Sequence, residues 1–343
     1  MASPPRSALL VEPWFAGSHR SWAEGLQRAS RHSIELLTRL PSGWKTTFED
    51  SARELAGRAG PKPDLVVLSS MMDAAEFIAR AGYEDVPRLL YLHENQLTYD
   101  RRRPDLARGA VNWSSVQAAD RIAFNSQFHL EDFFAALPTL GIAEQDLIEA
   151  RARSRALPVG IDPPPAPPSR HDGPPVVLWN HRWEADKDPQ PFVDALLANA
   201  DVDIRLILAG DGDRAGHFAT PLHERFGERV LHSGFAPADR YHELLGRADL
   251  VVSTARQEFF GVAVAEAMAA GAVPLVPDRL AYPELLGPDL APCLYAPGTL
   301  TERLAKMLAG EWQPYRSAAI AAGRRFDWTN VAPRYDDLID EMT

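Results

Sequence analysis

The sequence is poor in cysteine: 343 residues hold one, Cys293. A single thiol excludes a disulfide framework and a thiolate metal cluster, and the lack of disulfides fits a reducing compartment. Long apolar runs are missing too. No stretch of 18 apolar residues occurs, so no membrane-spanning helix is expected. The short run Ala8–Val11 stops at Glu12 and Pro13, too soon for the core of a secretion signal. The expectation is a soluble, cytoplasmic protein. Positive charge is in deficit as well: Lys and Arg number 36 against 47 Asp and Glu, a net charge of −11. A general electrostatic grip on nucleic acid is thereby excluded, and a polyanionic partner must meet a local basic patch. Two patches qualify, Arg101, Arg102 and Arg103 with Arg108, and Arg151, Arg153 and Arg155. Each reads equally as a solvated, salt-bridged surface.

What is present is apolar material for two cores, since 45% of residues are hydrophobic and the length suits two domains of roughly 150 residues. Short apolar runs alternate with helical patterns, which predicts βαβ units and parallel sheets. In the first half the expected strands are Ala8–Glu12, Ile34–Arg39, Leu65–Ser69, Arg88–His93 and Arg121–Asn125, with helices over Ser18–Arg31, Phe48–Arg58 and Trp113–Ala119. The segment Gly160–Pro175 is dense in proline, which suits neither a helix nor a central strand and predicts a linker. The pattern then restarts with strands at Val176–Asn180, Ile204–Gly210, Arg229–Ser233, Leu250–Thr254 and Val273–Val276, and a helix over Asp188–Ala200. The expected fold class is α/β with two Rossmann-like domains, residues 1–160 and 176–328, joined by a linker at 161–175. A terminal helix within 329–343 is expected to pack back on the first domain. Ligands of open parallel sheets bind beyond the carboxyl ends of the strands, so two such domains are expected to face each other across a cleft.

Residues able to do chemistry collect just after strands. Glu258-Phe-Phe-Gly-Val-Ala-Val-Ala-Glu266 comes after the expected strand Leu250–Thr254, with Gly261 at the start of a helix. A helix N-terminus offers free N–H groups and positive dipole charge to a diphosphate. Glu258 is then placed to accept from sugar hydroxyls and Glu266 from ribose hydroxyls. As bare spacing the same residues describe an amphipathic helix with two surface carboxylates. His181-Arg-Trp-Glu-Ala-Asp-Lys-Asp188 comes after the first strand of the second half. Arg182 and Lys187 there are fixed cations able to stabilise a departing diphosphate without a metal. A third segment, Leu89–Gln96, carries His93 to a strand end, with Glu94, Asn95 and Gln96 able to orient hydroxyls. Phe15-Ala-Gly-Ser-His19 is a loop whose Gly17 lets the backbone approach phosphate. Asp211-Gly212-Asp213 has the form of a carboxylate pair for Mg²⁺, though a turn after the strand Ile204–Gly210 is the preferred reading. Asn125-Ser126 either lines the site or caps the next helix.

The Glu258–Glu266 segment resembles the E-x7-E signature of the retaining GT-B glycosyltransferases. That resemblance implies that Glu258 holds the donor sugar with the backbone of Phe259, Phe260 and Gly261. It further implies that Val262 and Ala263 offer N–H groups to the β-phosphate, that Glu266 binds the ribose, and that Arg182 and Lys187 neutralise the leaving diphosphate. His93 would touch the donor sugar, and the turn at Asp211–Asp213 would hold no metal. A narrower resemblance, to the tRNA-queuosine α-mannosyltransferases, is carried by Leu10–His19, Tyr91–Leu97, Phe124–Ser126, Trp179–Pro189 and Ser253–Ala263. It implies transfer of mannose from GDP-mannose to queuosine in tRNA, with no cofactor beyond the nucleotide sugar. Glu94, Asn95, Gln96, Arg101, Arg102 and Arg103 would then lie on the acceptor side. The residues by themselves leave two other readings open: a transferase of the same fold with a lipid or small-molecule acceptor, and a non-catalytic nucleotide-sugar-binding protein. Donor base, sugar epimer and oligomeric state are not legible from spacing.

Overall fold

Strands that are apolar on both faces must be covered on both faces, which requires helices on either side of a parallel sheet. In the computed structural model, which describes residues 4–164 and 173–343, the chain divides into two units, Met1–Ile161 with Trp328–Thr343, and Asp162–Asp327. The part of the expected linker at 165–172 lies outside the described residues.

The first unit holds β1 (Ser7–Glu12), β2 (Ser33–Thr38), β3 (Leu65–Ser69), β4 (Arg88–Leu92), β5 (Arg121–Phe124) and β6 (Ser154–Ala156). They form one parallel sheet in the order β2-β1-β3-β4-β5-β6. Every residue of β3 is buried, and β4 is buried from Leu89 to Leu92. Helices Gly17–Ala29, Trp44–Ala56, Ala74–Ala81, Leu106–Ala118 and Gln127–Ala136 connect the strands. The second unit holds β7 (Val176–Trp179), β8 (Arg205–Leu208), β9 (Val230–Ser233), β10 (Leu250–Val252), β11 (Val273–Pro277) and β12 (Leu294–Tyr295). Its order is β12-β11-β10-β7-β8-β9, again parallel throughout. Taken from β9, this is the dinucleotide-fold order, in which the chain adds strands to one side of β7 and then to the other.

In each sheet the chain reverses its direction of travel at one point, beside β1 and β3 in the first unit and between β7 and β10 in the second. Ligands bind in the crevice at such a point, beyond the strand ends. Several strands stop one or two residues earlier than the apolar pattern suggests, so that His93, Asn125, Asn180 and Thr254 leave the ladder. The sequence pattern misses β6 and β12. Ser154-Arg-Ala156 has no apolar run, and β12 is two residues long.

The terminal helix Trp328–Met342 belongs to the first unit, where it packs on Gly17–Ala29. Trp22 Nε1 donates to Tyr335 Oη at 2.9 Å, and Tyr335 Oη donates to the Pro158 carbonyl at 3.0 Å. The Trp328 indole lies so close to Gly25 and Gly160 that a Cβ at either position would sit 2.1 or 2.3 Å from it. Among the described residues no helix is long and apolar enough to cross a membrane. Because Trp328 is buried against two glycines that leave room for its ring, Trp328→Ala should lower unfolding free energy by about 3–5 kcal/mol, measured by urea denaturation.

Candidate active site

Two polar clusters stand at the strand ends, one in each unit. In the first, Glu12 ends β1 and is fully buried. Its Oε1 accepts from the Trp14 backbone N–H at 2.8 Å and lies 3.2 Å from His19 Nδ1. His19 comes from the first turn of Gly17–Ala29, and its Nε2 lies 3.2 Å from Glu94 Oε2. With a carboxylate on each ring nitrogen, the imidazole donates from both and carries a charge. Burial alone would lower its pKa, but the Glu12 and Glu94 carboxylates outweigh that and push it up to about 10. Ser70, just past β3, donates to Glu94 Oε1 at 3.2 Å.

His93 lies against this imidazolium, with ring centroids 4.0 Å apart and planes tilted by 35°, and meets the edge of Trp22 at 4.6 Å. Burial holds His93 well below the ordinary imidazole range, and the neighbouring charge on His19 adds to the effect. Neutral His93 presents Nε2 to Glu12 Oε2 across 3.7 Å, and neither atom has a closer hydrogen-bond partner. Glu12, His19 and His93 also bring three ligand atoms within 4.8 Å of one another, the one such group of metal-capable side chains among the described residues.

In the second unit Lys187 and Glu258 form an ion pair at 3.0 Å, each side chain about one-sixth exposed. Lys187 Nζ also donates to the Gln257 carbonyl at 3.2 Å. The two loops that carry them are sewn together. Arg256 N–H donates to the Asp186 carbonyl at 2.8 Å, and Thr254 Oγ1 faces the carbonyls of Lys187 and Asp188 at 2.9 and 2.7 Å. Asp188 holds a left-handed backbone, φ 46°, and pairs with Arg256 at 2.8 Å. A non-glycine residue in that region stores backbone strain that surrounding contacts must impose. Arg182 reaches from the same loop and pairs with Asp186 at 3.2 Å, its side chain 60% exposed.

Gly261 caps the helix Val262–Ala269 with φ 102°, and a Cβ there would meet Leu285 at 2.9 Å. Only glycine suits that bend, and it leaves the first amides of the helix open to an anion. One turn in, Glu266 Oε2 accepts from Tyr241 Oη at 2.9 Å. Asn180, just past β7, donates to Tyr241 Oη at 3.0 Å and to the Ala263 carbonyl at 2.8 Å. Burial pushes the Glu266 carboxyl up to about 7; the Tyr241 hydrogen bond pulls the other way and the Asp162 charge adds.

Residues 7–161 match the family model of the tRNA-queuosine alpha-mannosyltransferase N-terminal region, and residues 165–326 match that of glycosyl transferases group 1. The tRNA-queuosine alpha-mannosyltransferase of Drosophila melanogaster is 30% identical over 304 residues, 81% of each chain. The chain belongs to the tRNA-queuosine alpha-mannosyltransferase family. It is a glycosyltransferase. A GDP-mannose:cellobiosyl-diphosphopolyprenol alpha-mannosyltransferase of Xanthomonas campestris is 28% identical over 173 residues, 47% of this chain and 46% of that one. Among solved structures, Anabaena HepE in complex with UDP and glucose superposes with a TM-score of 0.69 at 17% identity, covering 98% of this chain and all of that one. The catalytic domain of Arabidopsis thaliana starch synthase IV bound to ADP and acarbose gives 0.71 at 12% identity, covering 99% of each. The fold is that of the GT-B glycosyltransferases.

Within this family member the residues singled out from sequence fall into groups. Arg182, Lys187, Glu258, Phe259, Phe260, Gly261, Val262, Ala263 and Glu266 are gathered on the second sheet's switch point. His93 and Glu94 sit together on the first sheet's strand ends, and Gly17, with φ 52° and open space around its Cα, begins the helix that carries His19. Asn95 turns inward: its Oδ1 accepts from the backbone of Leu97 and Thr98 at 3.1 and 3.0 Å. Gln96 is held by its N–H, which donates to Asn112 Oδ1 at 2.9 Å. Asn125 donates to the His93 carbonyl at 2.8 Å while Ser126 caps the next helix at His129, so the pair both supports the strand ends and caps. The cluster Arg151, Arg153 and Arg155 is engaged by Glu131, the Ala119 carbonyl and Glu341. At Asp211-Gly212-Asp213, Asp211 Oδ1 accepts from the Gly212 N–H at 2.8 Å, and the Asp211 carbonyl receives the Trp183 N–H at 3.0 Å.

Glu12, Tyr241 and Asn180 are site residues that sequence reasoning does not find. Glu12 has a signal, a carboxylate closing an otherwise apolar strand. Tyr241 has none, because its helix position meets Glu266 only through folding. A histidine raised to about 10 stabilises the fold fully below its unfolded pKa near 6.5, and loses that contribution as pH rises through 10. His19→Gln should therefore lose most stability relative to wild type near pH 6, with the gap narrowing toward pH about 10, read as melting temperatures across pH. A gap independent of pH would contradict a charged His19.

Proposed function

We propose that this glycosyltransferase moves mannose from GDP-mannose to the cyclopentenediol of queuosine in tRNA, with retained anomeric configuration and without a metal ion. The reading is carried by the second-unit cradle, where the Lys187–Glu258 pair stands beside the open helix start at Gly261. A diphosphate placed there meets helix amides, Lys187 and Arg182, which supply the charge that a metal supplies elsewhere. Glu258 accepts from sugar hydroxyls and Glu266 from ribose hydroxyls. Donor identity draws support from the Xanthomonas relative, a GDP-mannose enzyme that aligns with about half of the chain. Acceptor identity draws support from the Drosophila relative, a tRNA-queuosine enzyme.

The reaction needs one bond made and one broken. An acceptor hydroxyl oxygen bonds to the anomeric carbon as the bond from that carbon to the β-phosphate oxygen breaks. The departing diphosphate takes the hydroxyl proton, so no protein nucleophile is required, and attack on the face that the leaving group vacates retains configuration. Fixed cations aimed at the leaving oxygens contribute most in the transition state, where their charge grows. On the acceptor side, Glu94 is held by Ser70 and His19 at a strand end and keeps part of its surface open.

Queuosine-containing tRNA incubated with GDP-mannose and a panel of other nucleotide sugars should gain one hexose from GDP-mannose, read by nucleoside mass. EDTA should leave turnover unchanged. Arg182→Ala should lower kcat/KM by about 10²-fold. No sugar on the tRNA with any donor, or transfer only to a lipid diphosphate, would overturn the reading.

Ionised Glu266 accepts from ribose hydroxyls more strongly than its protonated form, and burial pushes its carboxyl up to about 7. Donor affinity should accordingly weaken as pH falls from 8 to about 6, while Glu266→Gln should bind weakly and with no such dependence, both measured by calorimetry with GDP-mannose.

A further inference from the structure

The loop after Glu94–Gln96 carries much of the exposed apolar surface of the first unit. Among the described residues of that unit, the large exposed apolar side chains are Leu40, Trp44, Tyr99, Leu106 and Ile148, and four of these five fall in two segments, 40–44 and 99–106. Trp44 is 44% exposed and Tyr99 41%. Burying such rings against a partner would be favourable.

The two segments meet. Arg108, in the first turn of Leu106–Ala118, lies over the Trp44 ring at 4.8 Å and the Phe48 ring at 5.9 Å. The same guanidinium pairs with Asp105 at 2.6 Å and with Glu49. Asp105 in turn donates its N–H to the Gln96 carbonyl at 3.3 Å and caps the helix through the Arg108 N–H at 3.0 Å. The loop from Leu97 to Asp105 is thus closed on itself and pinned beside Trp44. Gly109 permits this closure, since a Cβ there would fall 2.2 Å from Leu97.

Charge on the loop is arranged outward. Arg101, Arg102 and Arg103 are exposed. Asp100 is turned back onto the loop, its Oδ1 accepting the Arg102 N–H at 3.0 Å and its carbonyl the Arg103 N–H at 3.0 Å. Asp105 and Glu49 are engaged by Arg108, and Asp132 by Arg101. Lys45 adds a cation 5.6 Å from the Trp44 ring. Exposed rings thus occur with cations twice, Trp44 beside Lys45 and Arg108 and Tyr99 in sequence beside Arg101–Arg103, on an otherwise acidic protein.

We infer that Trp44, Tyr99 and Arg101–Arg103 form a docking face for the unstacked loop of a tRNA, deepening the acceptor reading above and resting on it. Single-stranded RNA loops are held in this way: splayed bases stack on aromatic rings while arginines take the phosphates. A duplex would offer no base faces to Trp44 and Tyr99. A wobble nucleoside lies in such a loop, and the segment that carries Tyr99 and the arginines follows Glu94–Gln96 in the chain, so the neighbours of a modified base would be read without unwinding a stem. The loop is clamped before RNA arrives, which reduces the ordering cost of binding.

The test uses the full chain, queuosine-containing tRNA and the free queuosine nucleoside. Trp44→Ala and Tyr99→Ala should each raise the KM for tRNA by about tenfold, leaving kcat, the KM for GDP-mannose and transfer to the free nucleoside unchanged. Arg102→Ala with Arg103→Ala should weaken tRNA binding and flatten its salt dependence by about 0.7 per lost phosphate contact. Because Trp44 also braces Arg108, Tyr99→Ala and the arginine pair stand as the variants least tied to folding. A wild-type enzyme active on tRNA whose Tyr99 and arginine variants keep its KM and salt slope would overturn the docking face alone. Wild-type protein that neither binds nor modifies queuosine tRNA would overturn the acceptor reading with it. Loss of binding to anionic phospholipid vesicles in these variants, with tRNA KM unchanged, would assign the face to a lipid surface and overturn the inference.

Discussion

A parallel strand buried on both faces has nowhere to put a polar side chain except at its end. That constraint organises both units. The interior of β3, β4, β7, β10 and β11 is apolar and covered, so the residues able to hydrogen-bond or carry charge accumulate where the strands stop. Glu12, Ser70, His93, Glu94 and Asn125 do so in the first unit, and Asn180, Ser253, Thr254 and Glu258 in the second. The switch in strand order then opens a gap at one point of each sheet, and these residues gather there. Site chemistry is therefore a consequence of covering a sheet with helices.

Charges in such places need partners, because removing an ion from water costs more than a single poorly aligned contact returns. The two units solve this differently. In the first, one imidazolium is shared by two carboxylates, with a neutral histidine tilted against it, a compact arrangement that holds Glu94. In the second, Lys187 and Glu258 neutralise each other while both remain partly open. Lys187 is thereby held in place and partly desolvated. Glu266 is handled by a third device. Its half-buried carboxylate meets a tyrosine hydroxyl that fixes one oxygen, while desolvation makes its charge dependent on pH near neutrality.

Much of this is legible in the sequence. The alternation of apolar runs with helical patterns locates ten of the twelve strands among the described residues, because a run of Val, Leu and Ile between turns has few alternatives in water. The segments Glu258–Glu266 and His181–Asp188 both read as functional loops because each comes after a strand, where a parallel sheet presents its residues, and the fold brings them together. The polar β6 and the two-residue β12 are not legible, since their pairing comes from a neighbouring edge and not from their own composition. Asn95 reads from sequence as a group facing the acceptor; it caps its own loop instead, a role that depends on where Leu97 and Thr98 fold.

Composition and order along the chain determined that this protein has two α/β units, which loops bear its charges, and which family it resembles. These are local properties, written in runs of a few residues and in the loop directly after each strand. Folding alone decided that Glu12, His19, His93 and Glu94 form one network, that Tyr241 holds Glu266, and that Trp44 stands against Arg108. The partners in these groups come from separate elements of the sequence, and the forces that join them, burial and Coulomb attraction over a few ångströms, act only after the sheets have assembled.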